Sequence, residues 1–219
     1  MERLRLQLEG ASTVSLLKSV PTSPRGTLFI YAPGAGSNLN DPFGTYCAQR
    51  LLSEGVECWR FQFPYMETSR RAPDRTPVLE STWRSAIEAG NATGMKVIVG
   101  GRSMGGRIAS QVVAKGAAVS AVVLFAYPLH PPGKPEQRRD QHLDSITIPT
   151  LFCSGTRDTF ATRAELIEAA ALAPRSAVHF LEGADHGFAT LKSSGRSRED
   201  VWAESVDAML SFLDDQVAV

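Results

Sequence analysis

Lys96-Val97-Ile98-Val99-Gly100-Gly101-Arg102-Ser103-Met104-Gly105-Gly106-Arg107 is the stretch on which the reading of this chain turns. Its first half has a continuous apolar centre, the pattern of a strand covered on both faces. Its second half opens a helix with no intervening loop, because Met104, Ile108 and Val112 recur at a spacing of four. Between them lies Gly101-Arg102-Ser103-Met104-Gly105, a G-x-S-x-G pentapeptide. A turn this sharp holds its serine in a strained backbone conformation and lifts the hydroxyl above the sheet. Glycines two residues to either side remove side chains that would collide where strand and helix approach. The pentapeptide gains its meaning from the strand before it and the helix after it. A phosphate-binding turn would need G-x-G-x-x-G spacing or Gly-Lys-Ser/Thr here, and this turn has neither.

Outward from that turn, apolar runs alternate with helical patterns. Thr27 to Ala32 reads as a buried strand, and Asp41-Pro42 opens a helix with a capping aspartate and a first-turn proline. Phe43, Cys47 and Leu51 share one face of that helix, which stops at Gly55. Val56 to Phe63 is the next strand, followed by a Pro- and Arg-rich loop from Pro64 to Pro77. Leu79, Trp83 and Ile87 mark a further helix. In the second half Ala121 to Ala126, Thr150 to Gly155 and Ala177 to Leu181 read as strands. Thr162-x-x-Glu165 and Ser197-x-x-Asp200 start helices. The connection from Tyr127 to Pro149 holds five prolines and no strong helix signal. Leu4, Leu6 and Leu8 alternate with polar residues, so residues 1 to 18 are expected to add antiparallel edge strands. Strands alternating with helices predict an α/β fold: a mostly parallel central sheet with helices on both faces, in a single domain over residues 1–219. The insertion after Ala126 is too short for a separate cap domain.

A serine hydroxyl needs a base to take its proton. Of four histidines, His186 in Gly183-Ala184-Asp185-His186-Gly187-Phe188 lies between the last strand and the last helix. That loop leaves the carboxyl end of the sheet, where the serine also emerges. His179 falls inside the last strand and reads as structural. Nothing fixes His130 or His142 as a base. An acid must orient the imidazole and stabilise its charge. Asp158 follows the strand 150–155 at the same end of the sheet, whereas Asp185, adjacent to His186 in sequence, reads as a loop-capping residue. The developing oxyanion needs backbone N–H donors. Met104, directly after the serine, is one; Ala35, in Pro33-Gly34-Ala35-Gly36-Ser37, is the other. Pro33 lacks an N–H and cannot serve.

The motifs Ala32-Pro33-Gly34-Ala35-Gly36, Phe63-Pro64-Tyr65-Met66, Arg70-Arg71-Ala72-Pro73, Gly100 to Arg107 and Tyr127-Pro128-Leu129-His130-Pro131-Pro132-Gly133 carry a resemblance along nearly the whole chain. The chain resembles the α/β-hydrolase superfamily and, within it, small dienelactone-hydrolase-like proteins. The closer likeness is to the testis-expressed-protein and NSL-complex-subunit branch and its bacterial relatives. The resemblance implies an α/β-hydrolase fold, and Ser103, Asp158 and His186 follow that fold's nucleophile–acid–histidine order. Dienelactone hydrolases proper use a cysteine nucleophile, and this chain has Ser103 in its place. The expected function is a serine hydrolase acting on a small-molecule ester or thioester. The rival expectation is a non-catalytic interaction module on the same scaffold.

Composition narrows the rest. The chain has 219 residues, 43% hydrophobic and 21% charged, with 23 basic against 23 acidic residues. Zero net charge disfavours a nucleic-acid partner. Cys47, Cys58 and Cys153 lie far apart, which argues against a disulfide framework and a cysteine zinc site; no metal motif and no cofactor is expected. The longest apolar run, Ala121 to Tyr127, is seven residues, against about twenty for a membrane span. No membrane association and a cytoplasmic location are expected; the sequence leaves the oligomeric state open. Arg70, Arg71 and Arg75 on one Pro-rich loop and Lys134, Arg138 and Arg139 on the other would favour an anionic substrate group if both loops overhang the serine. The alternative is a pair of solvated loops neutralised by Glu67, Asp74, Glu136 and Asp140. The expected substrate contacts are Tyr65, Arg70, Arg71, Tyr127 and His130.

Overall fold

Alternation within buried strands builds the sheet. In the strand Thr27–Ala32, Leu28, Ile30 and Ala32 pack into one apolar cluster, while Phe29 and Tyr31 pack into another on the opposite face. The same division places Val97 and Val99 opposite Ile98, and Val122 and Leu124 opposite Val123 and Phe125. A strand apolar at every position is thus two alternating faces, both covered.

The computed structural model describes residues 1–9 and 12–217. In chain order the elements are β1 (Glu2–Gln7), β2 (Thr13–Ser19), β3 (Thr27–Ala32), α1 (Pro42–Ser53), β4 (Glu57–Phe61), α2 (Pro64–Glu67), α3 (Thr76–Asn91), β5 (Lys96–Arg102), α4 (Met104–Ala114), β6 (Ala121–Phe125), β7 (Thr150–Gly155), α5 (Arg163–Ala171), β8 (Ser176–Leu181) and α6 (Arg198–Gln216). The fold is an α/β-hydrolase fold. Its eight strands run in the order β1-β2-β4-β3-β5-β6-β7-β8. β1 and β2 are antiparallel, as expected of residues 1 to 18 (residues 10 and 11 lie outside the described residues), and the remaining strands are parallel. Helices α1 and α6 cover one face; α3, α4 and α5 cover the other.

The helix starts follow the sequence. Asp41 accepts from the Gly44 N–H at 2.9 Å and Pro42 sits in the first turn of α1. α5 and α6 open with reciprocal capping boxes, Thr162 with Glu165 and Ser197 with Asp200. Each such cap is worth about 1 kcal/mol. The segment around the end of β4 departs most from expectation. The strand expected to end at Phe63 ends at Phe61, and the loop from Pro64 contains the one-turn helix α2, started by its own proline. Among the described residues no helix is long and apolar enough to cross a membrane.

The chain passes from β3 to β4 on one side, then returns across the sheet to β5 on the other side of β3. Ala32 at the end of β3 pairs with Gly101 at the end of β5. The strand order reverses there, which opens a crevice above the carboxyl ends of the two strands.

Candidate active site

Ser103 stands at that crevice with φ +51° and ψ −119°, a left-handed conformation that side-chain-bearing residues rarely adopt. Strain of this kind costs about 1–3 kcal/mol and persists only where surroundings enforce it. Here the Ser103 N–H donates to the Phe125 carbonyl at 2.8 Å, and the Gly105 carbonyl accepts from buried Trp83 Nε1 at 3.1 Å. The flanking glycines make the approach possible. A Cβ on Gly101 would stand 2.2 Å from the Ala32 carbonyl oxygen, and one on Gly105 would stand 2.1 Å from the same atom.

His186 Nε2 lies 2.9 Å from Ser103 Oγ, and its Nδ1 lies 2.8 and 3.0 Å from the two carboxylate oxygens of Asp158. Asp158 is buried. A carboxylate only accepts, so Nδ1 carries the proton and Nε2 presents its lone pair to the serine hydroxyl. Asp158 also accepts from the Phe160 N–H at 2.8 Å. The Phe160 ring lies against the imidazole, with centroids 4.0 Å apart and 27° between planes. Three further features hold the histidine loop. Asp185 Oδ1 accepts from the N–H groups of Gly187 and Ala189, which makes it the loop cap expected. The Arg102 guanidinium donates to the His186 carbonyl at 3.0 Å and lies over the Phe188 ring. Phe188 is fully buried at a positive φ of 58° and packs edge-on against Phe43.

Met104 is the first residue of α4, so its N–H has no acceptor inside the helix and sits at the positive end of the helix dipole. Ala35 faces it from the turn after β3, and both line a cavity of about 700 Å³ that also contains Ser103 and His186. Tyr65 Oη donates to the Ala35 carbonyl at 2.8 Å and fixes that peptide. Other walls come from Asp41, Asp74, Leu79, Pro128, Phe160 and three arginines, Arg102, Arg107 and Arg139.

The structure thus brings Ser103, Asp158, His186, Ala35 and Met104 together. It does not do so for the expected substrate contacts. Tyr65 is 1% exposed and supports the turn from behind, outside the cavity. Burial, then Asp74, pushes its phenol up to about 12. Arg70 and Arg71 are exposed and lie outside the cavity; Arg70 pairs with Asp74 at the surface. Tyr127 is buried and donates to the Arg139 carbonyl at 2.6 Å. His130 is buried between the Pro131 carbonyl and Glu165. The physical reason is common to the last two: rings on a proline-rich connection turn inward and anchor it through their own hydrogen bonds. His179 pairs with Glu204 from its strand.

Phe160, Arg102 and Arg107 were missed by sequence reasoning. The signal for Arg107 was its position one helical turn after Ser103. The three cysteines are buried and free, and burial pushes each thiol upward. Among the described residues no group of three or more His, Cys, Asp or Glu is arranged to hold a metal ion.

Solved structures share this architecture. An alpha-beta serine hydrolase homologue from Coxiella burnetii is 17% identical, with 94% of this chain and 96% of that chain covered and a TM-score of 0.76. Est1E from Butyrivibrio proteoclasticus is 12% identical over 96% and 98% of the two chains, with a TM-score of 0.75. The thermophilic esterase Est2 from Thermogutta terrifontis, solved with propionate bound, is 16% identical over 100% and 95%, with a TM-score of 0.74. At these identities the likeness is one of fold. The family itself is set by the sequence: the model of the alpha/beta hydrolase domain family matches residues 25–214, and this chain belongs to that family.

Proposed function

We propose that this chain is a serine hydrolase that cleaves a small-molecule ester or thioester through an acyl-enzyme. The observation that carries the reading is the unbroken hydrogen-bonded series Asp158–His186–Ser103 opening into a cavity that Ala35 and Met104 also line. In this reading Ser103 Oγ attacks the carbonyl carbon while His186 Nε2 takes the hydroxyl proton. The charge that develops on the carbonyl oxygen is held by the two N–H groups. His186 then returns the proton to the departing oxygen or sulfur. Water repeats the sequence on the acyl-serine and releases the acid. Asp158 keeps Nδ1 protonated throughout and stabilises the imidazolium.

The same reading places the chain in the testis-expressed-protein and NSL-complex-subunit branch, as one domain over its length, cytoplasmic, with a small molecule as partner and no nucleic acid or membrane. A panel of 4-nitrophenyl and thiocholine acyl esters of increasing chain length tests it. At least one should be turned over with a pre-steady-state burst of one equivalent, and Ser103→Ala should lower turnover by about 10⁴ to 10⁶. Equal rates for wild type and Ser103→Ala would mean that the scaffold serves binding instead.

A further inference from the structure

Two arginines line the cavity without an ion-paired carboxylate among the described residues. Arg107 projects from α4 one turn beyond Ser103, and helical side chains lean toward the helix N-terminus, here toward the serine. Arg139 reaches the same cavity from the connection between β6 and β7, where its backbone is held by Leu129 and by the Tyr127 hydroxyl. Among the described residues neither guanidinium has a hydrogen bond or an ion pair, and Arg107 Nε is buried without a partner.

The carboxylates in the neighbourhood are already engaged. Asp140 takes Arg138 at 2.7 Å, and Glu80 takes Lys115 at 2.6 Å. Asp74, on the cavity wall, is shared between Arg70 and the Tyr65 N–H; Asp41 caps α1 and accepts from Tyr31. His142, next in this group, hydrogen-bonds Ser110 and supplies no negative charge. Both guanidiniums line one cavity, and burial, then the charge of Arg139, lower the pKa of Arg107, with Tyr127 and Glu80 acting more weakly in the other direction. Like charges held together, half-buried and unpaired, are costly unless something anionic sits between them.

We propose that Arg107 and Arg139 form an oxyanion-binding subsite, and that the substrate is an ester carrying a carboxylate or phosphate a few bonds from the scissile carbonyl. The ester rests on the serine-hydrolase reading above; the anion site rests on the two arginines alone. Planar guanidinium forks pair with either oxyanion through two parallel hydrogen bonds.

The test compares kcat/KM for mono-4-nitrophenyl glutarate and for neutral 4-nitrophenyl valerate. Wild type should favour the glutarate ester. Arg107→Gln and Arg139→Gln should each lower that preference by about 10-fold or more, mainly through KM. Arg107→Lys should fall between, and Arg71→Ala, exposed and outside the cavity, should leave the preference as in wild type. An Arg107→Gln/Arg139→Gln protein that melts like wild type and keeps the wild-type preference overturns the proposal. Should the double variant fail to fold, the lysine variant and the single glutamine variants decide by the same ratio. Calorimetric titration of glutarate and, separately, inorganic phosphate into Ser103→Ala needs no turnover. It should show binding that Arg107→Gln abolishes, with the tighter ligand naming the oxyanion. Absence of binding by both overturns the subsite. No hydrolysis of either ester or of any ester in the acyl-chain panel, with binding retained, overturns the hydrolase reading and leaves the subsite standing.

Discussion

Replacing Gly105 by alanine puts the geometry of the nucleophile turn to a quantitative test. The new Cβ would stand 2.1 Å from the Ala32 carbonyl oxygen and 2.6 Å from the Pro33 carbonyl oxygen. Both obstacles are backbone, so no side chain can swing aside. A carbon and a carbonyl oxygen settle at about 3.3 Å, so α4 and the turn after β3 must separate by about 1.2 Å. The two groups driven apart are the carriers of the proposed oxyanion donors, because Met104 directly precedes Gly105 and Ala35 follows Pro33 by two residues. A displacement of about 1 Å in a catalytic constellation costs on the order of 10²-fold in rate. Overpacking adds about 1–3 kcal/mol of destabilisation, and each kcal/mol lowers the melting temperature by about 2–4 °C at this chain length. Gly36→Ala is the comparison, because a Cβ there meets nothing within 4 Å. The assay is kcat on one 4-nitrophenyl ester with melting by circular dichroism. Gly105→Ala should lose about 10²-fold in kcat and melt several degrees early, and Gly36→Ala should lose less than about threefold. A Gly105→Ala protein with wild-type kcat and melting temperature would refute the steric account of the turn.

Other outcomes follow from the same contacts. Tyr65→Phe removes one hydrogen bond to the Ala35 carbonyl, worth about 0.5–1.5 kcal/mol, and should lower kcat by about 2- to 10-fold with KM little changed; a KM effect alone would return Tyr65 to substrate contact. Cys47, Cys58 and Cys153 should resist a disulfide reagent at pH 8 in the native protein and all react in urea, because each is buried with a raised pKa. His142 falls from its ordinary 6.5 to about 4 on folding, through burial first and Arg107 second. The unfolded chain therefore binds more protons between pH 6.5 and 4, so this group's contribution is intact above pH 6.5 and is lost as pH falls toward 4. After discounting for the part of the ring that solvent reaches, the loss is roughly 2 kcal/mol. Urea melts at pH 7 and pH 5 should show His142→Gln narrowing the difference between the two; an identical slope in wild type and variant would contradict it.

The sequence disclosed whatever the backbone itself demands. Gly101 and Gly105 are required by the close approach of the nucleophile turn to the Ala32 carbonyl at the end of β3, Asp41-Pro42 and Ser197-x-x-Asp200 by unpaired helix N–H groups, and Asp158 and His186 by loops leaving one end of a parallel sheet. Side-chain direction in irregular segments was not disclosed. Tyr65, Tyr127 and His130 stand on proline-rich connections, where no period fixes which way a residue faces, and all three turned inward to bond main chain or a neighbouring carboxylate. The expected arginine clusters divide for a related reason: Arg70 leans back onto Asp74, while Arg139, from the second Pro-rich loop, lines the cavity together with Arg107 of the regular helix α4. Arg107 was legible only as a residue one helical turn beyond Ser103, a spacing the sequence reading did not use. Phe160 carried a weaker signal, an aromatic two residues beyond the acid, and only folding shows it stacked on the imidazole.

The central claim is that Ser103 is a nucleophile activated by His186. Its most direct test is labelling with a fluorophosphonate, followed by mass spectrometry of the peptide that contains Ser103. Wild type should gain one phosphonyl group on Ser103; His186→Ala should label at least about 10³-fold more slowly, and Ser103→Ala should not label. A folded wild-type protein that labels no faster than Ser103→Ala, or that labels at another residue, would contradict the claim.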